Sequence, residues 1–352
     1  MRNPDKEWNK QQRPGLADVA RRAGVSTATV SRVLNAPGKV RTSTRLRVEA
    51  AIEQLAYVPD GAARGLASGR LRSIGAIVPT LDNAIFATCI GALQRRLDAH
   101  GFSLLIATSE YDPALELRAA QALLSRGIDG LMLVGNHRPE TLNRYLERSG
   151  LPCVRTWVHA PDQASPTIGF DNHSAAARVA GYLLDLGHRR IGMIAGQSDR
   201  NDRAAARVAG VRSVLADRGV PLDAALLVQR PYDIAAGREG LRALLANPEP
   251  PTAVICGNDV LALGALLETQ ALGVAVPQAL SLTGFDDLPI AANLVPALTT
   301  VRVPAAELGR RTADYLLAKL EGRNPPAHTE LPVDLVVRGT TMPPPAGPSA
   351  VG

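Results

Sequence analysis

The residues whose types and spacing speak most openly of chemistry lie in the segment LADVARRAGVSTATVSRVLN, residues 16–35. Leu16, Val19, Ala20 and Ala23 recur at helical spacing, Gly24 breaks the run, and Ser26 can cap a second helix whose apolar stripe is Val30, Val33 and Leu34. With that stripe inward, Thr27, Ala28, Ser31 and Arg32 project from the other side. Two helices joined by a Gly-containing turn, with Val25 at the corner, can lay the second helix in a DNA major groove. Arg32 is the one long charged side chain on the projecting face, suited to a bidentate hydrogen bond with guanine O6 and N7. Thr27 and Ala28 are short enough for close approach and for contact with a thymine methyl. Ser26, Ser31, Asn35, Arg41 and Arg45 suit phosphates, which fix position without reading sequence.

The charge distribution agrees with a polyanionic partner. Residues 1–72 hold 14 Lys and Arg against 6 Asp and Glu, a net of +8, whereas the remaining residues carry a net of −2. A local excess of this sign is what phosphate neutralisation requires, because each cation near a phosphate releases a counterion.

Stepping outward to the elements that must hold these groups, the spacing predicts a third helix opening at Thr42 or Ser43, with Val48, Ile52 and Leu55 inward and Pro59 as its stop. From Ile74 onward short runs rich in Ile, Val and Leu alternate with amphipathic ones. Strands are expected at 74–78, 103–107, 131–134, 153–156, 191–195, 226–229, 252–256 and 280–284, with helices between nearly all of them. That alternation implies parallel sheets covered on both faces, and so many units imply two α/β lobes. Aromatic residues are only 3% of the chain against 46% hydrophobic, so Ala, Val, Leu and Ile must build the core.

The segments LADVARRAGVSTATVSRVLN and VRTSTRLRVEAAIEQLAYVPDGAARGLASGR resemble the headpiece and hinge of the LacI (lactose repressor, LacI/GalR) family. SIGAIVP, GIDGLMLV, GHRRIGMIAG, PTAVICGNDVLALGAL, SLTGFDD and PALTTVRVP resemble its body segments in order. The resemblance implies an all-α helix-turn-helix headpiece at 14–58 after a disordered tail (1–13), and a hinge at 59–72. It implies a body at 73–342 of two doubly wound lobes like the type 1 periplasmic binding proteins, then a disordered tail at 343–352. The first lobe takes about 73–170 and 303–331, the second about 171–302 and 332–342. It assigns base reading to Thr27, Ala28 and Arg32, in agreement with the stereochemistry above. It places Ala63, Arg64 and Leu66 in the minor groove, Leu66 as a wedge between base pairs. Asp60 and Gly65 stand where the family usually has Asn and Ser, which weakens hinge docking, and Gly15 replaces a capping Thr.

In a body of this kind a ligand lies between the lobes, against loops at the carboxyl ends of the strands. Asp82, Asn83, Ile85 and Phe86 follow the first strand; Asn258 and Asp259, then Asp286 and Asp287, follow later ones. By motif position Arg207 matches the family's ligand-clamping arginine, Asp286 its hydroxyl-accepting aspartate, Tyr232 its stacking aromatic, and Asn258 a further ligand-side residue. Trp157 either lines the cleft or packs at the lobe junction, and Asp259 and Asp287 are better read as a cap or salt bridge. Such a set suits a sugar or sugar acid. The implied protein is a sequence-specific DNA-binding transcription regulator, a repressor on a near-palindromic double-stranded operator. It is controlled by a small-molecule effector, and it is a homodimer because a near-palindromic operator takes two headpieces and one alone binds too weakly, while no leucine heptads of a tetramer-forming coil are seen in the tail.

The rival readings are an enzyme or a transport receptor. No GxGxxG follows the first strand, and Walker A, GxSxG and metal-ligand clusters are absent, so neither catalysis nor a cofactor or metal is expected. His100 and His188 stand alone. Cys89, Cys153 and Cys256 form no CxxC pair and lie in apolar stretches, as buried reduced thiols would. The first residues contain no apolar run like a signal peptide and no later stretch is long enough to span a membrane, so a cytoplasmic protein is expected.

Overall fold

The structure, a computed structural model, describes residues 14–58 and 71–345. The chain divides into two compact units, Met1–Leu71 and Arg72–Gly352. The hinge residues Ala63, Arg64 and Leu66 lie outside the described residues, as do both expected tails apart from 343–345.

In the first unit α1 (Leu16–Ala23), α2 (Thr27–Asn35) and α3 (Thr42–Gln54) pack on Val19, Ala20, Ala23, Val30, Val33, Val48 and Ala51. Gly24 ends α1 because it takes φ 64°, a left-handed conformation that a Cβ would strain. Ser26 starts α2 by accepting the Thr29 N–H on its hydroxyl at 3.2 Å. Gly15 has no side chain to cap α1, but the Asp18 carboxylate reaches back to the Gly15 N–H at 2.8 Å, so half of a capping box survives. The third helix stops earlier than the position of Pro59 suggests, since Ala56 turns at φ 47°; Leu34, Ile52 and Leu55 are half-buried at the core's rim.

The second unit contains two parallel sheets. The first has the order β2-β1-β3-β4-β5-β11, from β1 (Ser73–Val78), β2 (Ser103–Thr108), β3 (Gly130–Val134), β4 (Cys153–Thr156), β5 (Thr167–Gly169) and β11 (His328–Glu330). The second runs β7-β6-β8-β9, from β6 (Ile191–Gly196), β7 (Leu227–Arg230), β8 (Ala253–Cys256) and β9 (Ser281–Thr283). An antiparallel pair, β10 (Thr300–Arg302) and β12 (Asp334–Val336), adjoins it through bridges Thr283–Thr299 and Asp286–Arg302. The chain therefore passes between the sheets three times: after β5, after β10 and after β11.

The helices follow the strands: α4 (Ala84–Asp98), α5 (Pro113–Ser125), α6 (Glu140–Ser149), α7 (Asn172–Asp185), α8 (Asp202–Asp217), α9 (Ile234–Leu245), α10 (Asp259–Leu272) and α11 (Ala305–Leu320). Helices α7 and α8 approach closely because Gly210 faces the His173 carbonyl, where a Cβ would collide. In both sheets the second strand lies on one side of the first and the third on the other. The loops after β1 and β3, and after β6 and β8, therefore diverge and leave a crevice at the strands' carboxyl ends.

Candidate DNA-reading face and interlobe cleft

On α2 the apolar stripe leaves Thr27, Ala28 and Arg32 exposed together. The Arg32 side chain has no hydrogen bond or ion pair among the described residues, unlike those of its neighbours: Arg21 pairs with Asp18, Arg22 donates to Gln54, and Arg45 lies 3.6 Å from Glu49. Of the residues suited to phosphates, Arg41 is exposed at the start of α3, and Asn35 donates to the Ser31 hydroxyl at 3.3 Å. The Ser26 hydroxyl oxygen is occupied as the α2 cap.

In the body, side chains from seven loops and helix starts converge between the two sheets. Asn83, Ile85, Phe86, Tyr111 and Trp157 come from the first sheet's side; Asn201, Arg203, Arg207, Tyr232, Asn258 and Asp286 come from the second. Seven of the eight residues expected to face a ligand are thus brought together. Asp82 is the exception: it is exposed and lines a wider mouth, with Thr80, Tyr111, Gln197, Arg200 and Tyr232. The chain turns Asn83 inward instead, where its side chain accepts the Ile85 N–H and starts α4. Trp157 combines both expected roles, buried in the core against Phe86 at 4.9 Å between ring centroids while lining the cleft. The inner space is about 20 Å³, whereas the mouth is about 520 Å³.

Arg207 is held by several groups at once. Its Nε donates to Asn172 Oδ1 at 3.0 Å, its Nη1 to the Gly257 carbonyl at 2.6 Å, and its Cζ lies 3.6 Å from the Phe285 ring centroid. Asn172 in turn donates to the Trp157 carbonyl at 2.8 Å, so the arginine is fixed to the passage between lobes. Asp286 is fully enclosed, and burial pushes its carboxyl up to about 8, against the pull of Arg207 and with a further push from Asp259. At neutral pH it therefore holds a proton and offers a donor as well as an acceptor, which departs from the purely accepting aspartate expected. Asn258 accepts the Leu261 N–H to cap α10, which leaves its Nδ2 buried with no acceptor. Burial also raises the Tyr111 and Tyr232 phenols, whose rings face each other across the cleft at 6.1 Å.

Comparison with known proteins decides the family. Residues 15–60 match the model of the bacterial regulatory proteins of the lacI family, and residues 180–341 match that of the periplasmic binding protein-like domain. The transcriptional repressor CytR of Escherichia coli K12 is 34% identical over 327 residues, 93% of this chain and 96% of that one. The chain belongs to the LacI family. As a LacI-family member it is a DNA-binding transcriptional repressor. A LacI-family regulator from Silicibacter pomeroyi superimposes with a TM-score of 0.85 at 28% identity, covering 94% of this chain and 99% of that one. The lac repressor dimer bound to operator and the anti-inducer ONPF does so with 0.83 at 28%, with the same coverage.

Within this LacI-family body Asp259 and Asp287 are engaged by the protein's own groups. Asp259 is buried and accepts from the Leu288 N–H at 2.7 Å and the Thr300 hydroxyl at 2.6 Å; burial lifts it to about 6. Asp287 pairs with Arg302 at 2.7 Å and Arg338 at 2.6 Å. His188 is buried between the Thr252 hydroxyl and the Met342 carbonyl, and burial lowers its pKa. Cys89 and Cys256 are buried and Cys153 is half-buried, all three unpaired. Among the described residues no helix is long and apolar enough to cross a membrane.

Sequence reasoning did not single out Tyr111, Asn201 and Arg203. Arg203 had a legible signal, because it precedes Arg207 by one helical turn and must share its face. Asn201 caps α8 through the Ala204 N–H and enters the cleft from that position. Tyr111 follows β2 at φ 58°, and nothing in its local sequence points inward.

Proposed function

We propose that this chain is a dimeric repressor whose hold on a near-palindromic operator is set by a small molecule bound between its lobes, a sugar or sugar acid. Thr27, Ala28 and Arg32 read base edges, Ser26, Ser31, Asn35, Arg41 and Arg45 contact phosphates, and Ala63, Arg64 and Leu66 enter the minor groove. The dimer and operator are argued from the lac repressor dimer bound to operator, and the ligand class from the CelR–cellobiose complex, a transcription regulator that shares this fold at 28% identity and a TM-score of 0.68.

One observation carries the effector half. A guanidinium, an amide nitrogen without an acceptor, a buried carboxyl and several aromatic rings face one space between the two sheets. Buried polar groups are normally satisfied, so a cluster with unused donors calls for a ligand rather than for core packing. Effector binding acts by favouring one arrangement of the lobes, and the shift it produces equals its differential affinity for the two.

The test is electrophoretic retention of DNA from the chain's own upstream region, with sugars and sugar acids titrated in. Sequence-selective retention changed by a small molecule is expected, with Asp286→Ala blind to that molecule. Retention that no small molecule alters, or that ignores sequence, would overturn the reading.

A further inference from the structure

Arg203 is the strongest unused group in the cleft. It stands one turn before Arg207 on α8, so both guanidinium groups face the same space. Its side chain is only 8% exposed, yet the one hydrogen bond it makes is from Nη1 to Asp202 Oδ1 at 2.9 Å. The guanidinium rests against Gly135 of the first lobe, where any Cβ would collide with it. Asp202 is itself divided, since its Oδ2 accepts the Asn136 N–H of the first lobe at 2.6 Å.

The donor count around this space is lopsided. Arg207 uses Nε and Nη1 and leaves Nη2 over; Arg203 leaves most of its five N–H groups over; Asn258 Nδ2 is buried with no acceptor. Against them the cavity lining supplies one carboxyl, Asp286. Both arginines are only 7% exposed, so their spare N–H groups reach little water, and a forked pair on one helix face matches the two oxygens of a carboxylate.

We propose that Arg203 and Arg207 together clamp the carboxylate of an acidic polyol, so that the effector is an aldonic or uronic acid rather than a neutral sugar. This rests on the cleft being the effector site. The hydroxyls of such an acid meet Asn258, Asp286 and the tyrosines, and its carboxylate competes with Asp202 for Arg203. A phosphate dianion is disfavoured relative to a carboxylate, because its larger charge meets the Asp202 carboxylate that already holds Arg203.

Calorimetric titration of the full-length protein tests it. The probes are gluconate, galactonate, glucuronate and galacturonate, each with its neutral alditol or aldose, together with glucose 6-phosphate. One acid is expected to bind at least tenfold tighter than its neutral counterpart. Arg203→Gln is expected to cost that acid on the order of 10- to 100-fold, the worth of a charge-assisted hydrogen bond, and to erase the preference. Arg203→Lys, which keeps the charge and guards against misfolding, recovers part of it. A neutral sugar or the phosphate binding as tightly as every acid, or a preference untouched in Arg203→Gln, overturns the proposal and leaves the cleft reading intact. Binding by none of these probes also overturns it; the cleft reading falls with it only if operator retention is also indifferent to a whole-cell metabolite extract.

Discussion

Replacing Asp286 by Asn is the sharpest test of how the cleft is built. The side chain is 4% exposed, and burial sets its carboxyl at about 8, well above the ordinary 3.8. The groups facing it are Arg207 on α8, Asp259 on α10 and the two tyrosines; burial raises both phenols, so they stay neutral across this range. Between the two values the folded chain keeps a proton that the unfolded chain releases. Stability from this group is therefore full below about pH 4, declines as pH rises and is lost above about pH 8. The slope approaches about 1.4 kcal/mol per pH unit inside that window. Asparagine mimics the protonated acid and has no such slope. The stability of Asp286→Asn relative to the parent is thus expected to climb by about that much per unit from about pH 5 to about pH 8 and then level off. In a body of this size each kcal/mol corresponds to about 2–4 °C in Tm. Asp259 titrates in both proteins, so the difference between their urea or thermal melts reports Asp286 together with its coupling to Asp259. Parallel stability curves across that range would show that Asp286 is ionised in the folded protein and that its burial does not dominate.

Arg32→Ala is expected to cost about 1–3 kcal/mol at one operator base pair and to relax discrimination there, with effector affinity unchanged; competition binding to operators varied one base pair at a time measures it. Gly210→Ala pushes a methyl into the His173 carbonyl where α7 meets α8, and a loss of about 1–3 kcal/mol is expected despite alanine's better helix propensity. A raised Tm would refute that close approach.

How far the sequence foretold this molecule depends on what each residue needed. The three headpiece helices were legible because a capping Ser26, a breaking Gly24 and a clean apolar stripe all act locally. Eight of the twelve strands among the described residues were equally legible, within a residue or so: seven have four residues or more, and the shorter β9 stands in the stretch LSLTG before the GFDD turn. The other four have three residues each, and β10, β11 and β12 end or begin on an exposed Arg302, Glu330 or Asp334. They exist because the chain crosses between sheets there, and pairing with a distant edge leaves no period in the sequence. The cleft shows the same division. Asn258 and Asp286 sit beside strands that announce themselves, whereas Asp82 and Asn83 exchange the expected burial because Asn83 is the residue that caps α4. Tyr111 gains its place only when the lobes meet.

The lobes share one apolar core at their junction, but across the mouth of the cleft few polar pairs join them, and that bears on how recognition could become regulation. An inner space of about 20 Å³ holds about one water molecule, while small-molecule sites usually measure about 300–1,000 Å³. The mouth of about 520 Å³ can receive a sugar-sized molecule, but the inner groups are reached in full only with movement. What keeps the inner space shut across the cleft is the Asn136 N–H on Asp202, the Tyr111–Tyr232 ring pair, and an exposed, long Arg200–Asp112 pair at 3.9 Å that contributes little. The first is worth about 1.5–3 kcal/mol and the second about 0.5–1.5, within what even millimolar binding supplies. The groups that hold the lobes together are also neighbours of those poised for a ligand: Asp202 joins Asn136 to Arg203, and the two tyrosines line both the mouth and the inner space. A molecule that draws Arg203 away from Asp202 alters the interlobe hydrogen bond in the same step. Chemical selectivity and lobe geometry then share one set of hydrogen bonds, and no separate relay between them is required.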